Sequence, residues 1–163
     1  MKQLEKNPQS EVKIRFPDCD PFNHLNNSKY IDYFLNARED HLSSFYQFDI
    51  AKLAKEKGLA WFVTLNQIAY FSPASTMETV VIQTRLVSHS QKELLLEASM
   101  WNNEKTILKS VLWTKFMHFN LATRRTEIHS EEMTNLFKQI VNPIGEGLTF
   151  EDRAAQVKQT KKP

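Results

Sequence analysis

Two acids, Asp18 and Asp20, flank Cys19 in a stretch that continues Pro21-Phe22-Asn23-His24-Leu25-Asn26-Asn27-Ser28. Pro, Asp, Asn and Ser are turn formers for separate physical reasons, so this stretch reads as a loop. Asn27 and Ser28 are good N-cap types, and the aromatic-rich run from Tyr30 reads as a helix beginning there. The chemistry this layout permits is attack on a polarised carbonyl. The first N–H groups of a helix lack internal partners and carry the positive end of its macrodipole. Donors of that kind stabilise a developing oxyanion by roughly 2.7–4 kcal/mol each. A carboxylate in the adjoining loop can then attack the carbon or activate a water. Cys19, the single cysteine, has no recognisable base partner and is read as filler. One cysteine also excludes a disulfide framework and a Cys-based metal site. His24, His41, His89, His118 and His129 show neither H-x-x-H nor H-E-x-x-H spacing, so no metal site is expected.

The elements that must hold these residues follow from periodicity. Val12 to Phe16 alternates apolar and basic side chains and reads as a first strand, with residues 1–11 polar and loose. In the helix, Lys29, Asp32, Asn36, Glu39 or Asp40, and Ser43 form one narrow polar stripe. Apolar side chains cover most of the remaining circumference, so the helix should be largely surrounded by protein. Asp49 to Lys57 reads as a short second helix, with Gly58 just beyond its C-terminus. From Trp61 the period changes to two, and strands are expected at about 61–71, 79–88, 93–102 and 105–120. Their short connections favour antiparallel neighbours. Within the third of these, Leu94, Leu96, Ala98 and Met100 face one way and Glu93, Glu97 and Ser99 the other, so a dry and a wet face are expected. Glu131 to Ile140 reads as a closing helix, and residues 143–163 as a polar tail.

Composition bounds the function. The chain has 163 residues, 41% hydrophobic and 25% charged, which suits one globular domain, expected at 12–142. A net charge of +2 without a basic stripe argues against a nucleic-acid partner. Three glycines and no G-x-G-x-x-G or G-x-x-x-x-G-K-[ST] leave no phosphate-cradling loop. No stretch approaches the ~20 apolar residues of a membrane span, and the N-terminus lacks an apolar signal core. A cytoplasmic protein is expected.

Arg15-Phe16-Pro17-Asp18-Cys19-Asp20-Pro21-Phe22-Asn23-His24-Leu25-Asn26-Asn27-Ser28-Lys29-Tyr30, followed by Ile31-Asp32-Tyr33-Phe34 and Ala37-Arg38, resembles a family signature. The pattern, R-F-x-D-x-D-x-x-G-H-[VL]-N-N-x-x-Y-x-x-Y-F-E-x-A-R, is that of hotdog-fold acyl-CoA thioesterases of the 4-hydroxybenzoyl-CoA thioesterase type. The resemblance implies an α+β hotdog fold, a five-stranded antiparallel sheet wrapped around a long central helix. It also implies hydrolysis of an acyl-CoA, or of an acyl-carrier-protein thioester, without a cofactor. Asp20 takes the place of the catalytic carboxylate, as nucleophile or general base, and Asn27 the place of the oxyanion amide. His24 stands where it would orient a carboxylate or water, or serve structurally, and Asp18 where it would hold the turn. Asn26, Tyr30, Phe71 and Pro73 are the candidate substrate-binding residues. Asn26 has a competing role tying loop to helix, and Tyr30 one packing in the core. Tyr70-Phe71-Ser72-Pro73-Ala74 looks like the family's Y-x-x-P-[AL] strand end, and Asn120 to Arg125 like its late hairpin. Such proteins pair as homodimers with a continuous sheet, or as homotetramers.

The chain departs from this pattern twice. Asn23 stands where Gly is usual, which asks Asn to adopt left-handed backbone. Leu35 and Asn36 replace the helix acid that precedes Ala37-Arg38. That loss keeps open a second reading, a hotdog protein that binds acyl thioesters without turning them over. A hydratase or dehydratase on the same fold would carry His/Asp or His/Glu motifs that are absent here.

Overall fold

The computed structural model describes residues 2–159. The sheet is antiparallel throughout, in the order β1-β3-β4-β5-β2, with β6 added to β5. Its strands are β1 (Gln9–Lys13), β2 (Leu59–Tyr70), β3 (Thr79–His89), β4 (Glu93–Asn102), β5 (Leu108–Asn120) and the two-residue β6 (Arg125–Thr126). The helices are α1 (Tyr30–Tyr46), α2 (Ile50–Lys57), α3 (Glu131–Ile140) and α4 (Phe150–Gln159). A curled sheet around one long helix is the hotdog arrangement the sequence predicts.

Burial of α1 explains the curl. Tyr30, Tyr33, Phe34 and Ala37 recur at helical spacing and pack on Ile14, just past β1, and on Val80, Ile82, Ala98, Met100 and Leu112 from the strands. Phe34 is completely buried, and burying such a side chain is worth about 1.5–3 kcal/mol. Asp32, Asn36, Glu39, Asp40 and Ser43 remain exposed, as the polar stripe requires. Gln47, in left-handed conformation with φ 54°, ends α1, and its N–H returns to Ser43 O. Asp49 caps α2 by accepting from Lys52 N at 2.9 Å, and Gly58, at φ 64°, terminates it.

Three local expectations change. The first strand lies at Gln9–Lys13, upstream of the expected Val12–Phe16, because Pro17 draws Phe16–Asp18 into a 3-10 turn. Polar residues counted as loose are thus held by backbone pairing to β3, from Gln9 against Gln83 to Lys13 against Thr79. The polar tail carries a helix, since Phe150 to Gln159 form α4; residues 160–163 lie outside the described part.

Nor is the outer face of the sheet wet. Val111, Trp113 and Phe150 form a cluster there with Ala69, Phe71, Leu95, Ile144 and Val157. Glu97, expected in water, is 5% exposed. Arg153 on α4 grips it in a two-pronged ion pair, Nε to Oε2 at 2.7 Å and Nη2 to Oε1 at 2.8 Å. Trp113 Nε1 donates to the same carboxylate at 2.9 Å. With α1 on one side and α4 on the other, β5 reads as a continuous buried run from Leu108 to Thr114.

Two buried imidazoles tie the fold to pH. His41 lies between Ser10 Oγ and Thr84 Oγ1, each at 2.8 Å, and His129 takes the Trp61 Nε1 hydrogen at 3.1 Å. Burial pushes both below the ordinary value of 6.5; for His129 the neighbouring His118 and His89 add to this, against a hydrogen bond to Ser90 O. The unfolded chain therefore takes up protons near pH 6.5 that the folded chain refuses. Stability is full above that pH and declines as pH falls through and below it, by at most about 1.4 kcal/mol per pH unit for each ring. Urea midpoints between pH 7.5 and 5.5 should fall accordingly, and His41→Gln should flatten part of the slope. An unchanged midpoint across that range would contradict the assignment.

Candidate active site

The loop that carries the acids is closed by its own side chains. Asp20 Oδ1 accepts from Phe22 N at 2.9 Å and His24 N at 3.1 Å, while Asp20 N donates to His24 O at 2.8 Å. Asn23 makes the turn between them at φ 63°, the left-handed conformation that Asn tolerates best after Gly. One carboxylate oxygen is thus committed to the loop. The other, Oδ2, accepts no hydrogen bond within the described chain.

The loop is stitched to its neighbours. Asn26 N donates to Asp18 O at 2.9 Å, Leu25 N to Ala74 O at 2.8 Å and Thr76 N to Asn23 O at 2.9 Å. Asp18 accepts the Tyr33 hydroxyl at 2.7 Å, and that hydroxyl accepts Arg15 N at 3.0 Å. Burial and the bond to Asp18 push the Tyr33 phenol up to about 12. Asp18 therefore braces the strand exit against α1.

A short 3-10 turn, Asn27–Lys29, leads into α1. Asn26 is its N-cap, with Oδ1 accepting from Ser28 N and Ser28 Oγ, both at 3.1 Å. Asn27 is exposed, and its N–H meets no acceptor in the described chain, as the first amide of a helical segment should. The Tyr70 hydroxyl donates to Asn27 O at 3.0 Å and so fixes the plane of the following peptide. Tyr30, 2% exposed, stands edge-on to Tyr70 with ring centroids 5.1 Å apart, and its hydroxyl accepts Ala74 N at 3.2 Å. Burial raises the Tyr30 phenol, against the hydrogen bond from Ala74 N, with smaller contributions from Tyr70, Glu78 and Asp20.

Asp20, His24, Asn26 and Asn27 thus share one loop–helix junction, with Tyr30 and Tyr70 beneath it. The His24 ring makes no hydrogen bond within the described chain, so it is neither tied into the loop nor paired with a carboxylate. Pro73 borders the junction through its carbonyl, which accepts the buried Lys109 Nζ at 2.8 Å; the same ammonium pairs with Glu78 at 2.9 Å. Phe71 is not brought to the junction, since it packs in the outer-face cluster with Trp113 and Phe150. The supporting role of Lys109 had no sequence signal, because a lysine in a strand reads as solvent-facing. Tyr70 was visible only as the first residue of its motif.

Alanine at Asn26 tests how far the cap matters. It should cost about 0.5–2 kcal/mol in chemical denaturation and fray the Asn27–Lys29 turn. An unchanged midpoint would mean that backbone bonding alone holds the junction.

Among the described residues, no helix is long and apolar enough to cross a membrane, and no group of three His, Cys, Asp or Glu is placed to hold a metal. The chain matches the family model described as the thioesterase-like superfamily over residues 14–141. Among solved structures it is similar to a 1,4-dihydroxy-2-naphthoyl-CoA thioesterase from Synechocystis, at 14% identity and TM-score 0.75, covering 84% of this chain and 99% of that one. A probable thioesterase from Escherichia coli is 22% identical with TM-score 0.70, covering 82% and 98%. A Staphylococcus aureus protein described in complex with CoA is 16% identical with TM-score 0.74, covering 92% and 98%. Comparison with curated proteins gives no match.

Proposed function

Because the chain belongs to the thioesterase-like superfamily, we propose that it hydrolyses an acyl thioester of CoA to the free acid and thiol. The observation that carries this reading is the unengaged Asn27 N–H in the same junction as Asp20, whose Oδ2 is also uncommitted. The thioester oxygen sits against the Asn27 amide, where the start of α1 stabilises the negative charge that develops on it. Asp20 either attacks the carbonyl carbon or takes a proton from a water that does so. In the first case the thiolate leaves and a mixed anhydride remains, which water cleaves to return the carboxylate. In the second, the hydroxide adds and the thiolate departs directly. The departing thiolate is protonated by solvent or, in the second case, by the proton Asp20 took from water, so the step needs no cofactor.

A second copy of the chain completes the cleft. The Asn27 face is exposed in one copy, and among the described residues β2 pairs only with β5, which leaves its other edge without a described partner. Phe62, Val63, Leu65 and Tyr70 on this long strand are each more than 40% exposed. An apolar open edge of this kind pairs with another chain or aggregates, and a homodimer with a sheet continuous through β2 covers it. A homotetramer would add a further interface to this one.

Release of free thiol from short, long and aromatic acyl-CoAs tests the function. Turnover of at least one is expected. Turnover confined to acyl-carrier-protein thioesters would replace CoA as the thiol. Tight binding of thioesters with no release from any would overturn hydrolysis and favour a binding protein, the reading that the missing acid at Leu35 and Asn36 keeps in play.

A further inference from the structure

A cavity of about 60 Å³ lies between the C-terminal half of α1, the inner face of the sheet and α3. Its walls include Leu86, Leu94, Leu96, Phe137 and Ile140, together with Arg38 from α1. The Arg38 guanidinium lies 4.4 Å above the centre of the Phe116 ring, which lines the same cavity. The side chain as a whole is half-buried, but its Nε is fully buried and has no hydrogen-bond partner among the described residues. Among the described residues no carboxylate lies within ion-pair distance of it; the nearest charge that acts on it is the exposed Glu39 next in sequence. Burial weakens its hold on the proton relative to an ordinary arginine, yet a guanidinium stays charged in a protein.

A charge held in an apolar wall without a counter-charge is costly. Arginines in such places elsewhere in this chain are paired: Arg153 grips Glu97, and Arg85 approaches the same carboxylate at 3.8 Å. Neighbouring polar groups are already satisfied, since His41 is bonded on both ring nitrogens, to Ser10 and to Thr84. The unmet demand at this cavity is therefore for one anionic acceptor on an otherwise apolar body. Size narrows the occupant. One water needs roughly 10–15 Å³ on the same measure, so the space accepts about four to six non-hydrogen atoms. We propose that this cavity is a binding site for a short aliphatic carboxylate, of the size of propionate or butyrate, whose carboxylate meets Arg38.

The site is separate from the Asp20–Asn27 junction. Arg38 stands roughly 16 Å farther along the helix at 1.5 Å per residue, and the buried Tyr30 and Phe34 fill the core between the two. The inference does not rest on the thioesterase reading, and each can fail alone.

Calorimetry with sodium butyrate on the full chain, at constant ionic strength, tests it, with butyramide as the uncharged probe of equal size. Wild type should bind butyrate saturably at one site with Kd near or below about 1 mM, and butyramide far more weakly. Arg38→Met, which keeps the length and apolar stem, should weaken butyrate roughly 10- to 100-fold, the worth of a charge-assisted hydrogen bond. Methyl NMR should place the shifts on Leu86, Leu94, Leu96 and Ile140. No saturable binding by wild type, equal binding of butyramide, or shifts confined to residues 20–30 would each overturn the site. Should Arg38→Met fail to fold, the butyrate–butyramide comparison on wild type decides the matter.

Discussion

Asp20→Asn should abolish thioester turnover while leaving the loop in place. The substitution is chosen from the geometry. Asp20 Oδ1 holds Phe22 N and His24 N, and the amide oxygen of Asn can accept both bonds. The part of Asp20 that changes is the charge and the uncommitted second oxygen. Loss of a general base typically costs 10²–10⁴-fold, so kcat should fall by about that factor with little change in KM. Asp20→Ala should do the same to kcat and also loosen the junction, because two loop amides lose their acceptor. Comparing the two variants by thermal denaturation separates chemistry from support: Asn close to wild type, Ala lower. Wild-type kcat in Asp20→Asn would remove Asp20 from the mechanism and leave the carboxylate as a loop brace only.

The second large effect is on stability and involves no residue near the junction. Arg153→Met should destabilise the fold by about 3–5 kcal/mol, the cost of stranding one member of a buried ion pair. Glu97 is 5% exposed; without Arg153 it keeps, among the described residues, only Trp113 Nε1 at 2.9 Å and Arg85 at 3.8 Å. At about 2–4 °C per kcal/mol for a chain of this size, the melting temperature should drop by roughly 6–20 °C. Glu97→Gln in the Arg153→Met background should recover part of the loss, because a neutral amide tolerates burial better than an orphaned carboxylate. Additive single and double effects would show that the two residues do not act as a pair, and a loss under about 1 kcal/mol would place the pair among exposed bridges of little value.

These two effects differ in how far the chain alone revealed them. The Asp20–Asn27 junction is written in consecutive residues. Turn formers, an Asn able to sit at φ 63° and a cap at Asn26 act over a few positions, and local backbone physics is what sequence patterns encode. Periodicity likewise carried α1, α2, α3 and strands β2 to β5, within a few residues at their ends. Thioester hydrolysis as a reaction class came from the motif, not from the fold, since one fold hosts many chemistries.

What the tertiary structure alone decided is which groups meet across the chain. Glu97 stands on the polar side of an alternating strand and so reads as solvated; only the return of α4 onto that face brings Arg153 to it across 56 positions. The same packing takes Phe71 to the outer face, whereas its motif placed it near the cleft. Gln9–Lys13 has too little apolar character to announce a strand, but β3 offered an unpaired edge, and backbone bonds do not depend on side-chain type. Arg38 was legible as a motif letter, while its burial over Phe116 without a carboxylate was not. A sequence fixes short-range backbone preferences residue by residue; partners for buried charges are set by the three-dimensional closure of distant segments, and that closure leaves no local trace.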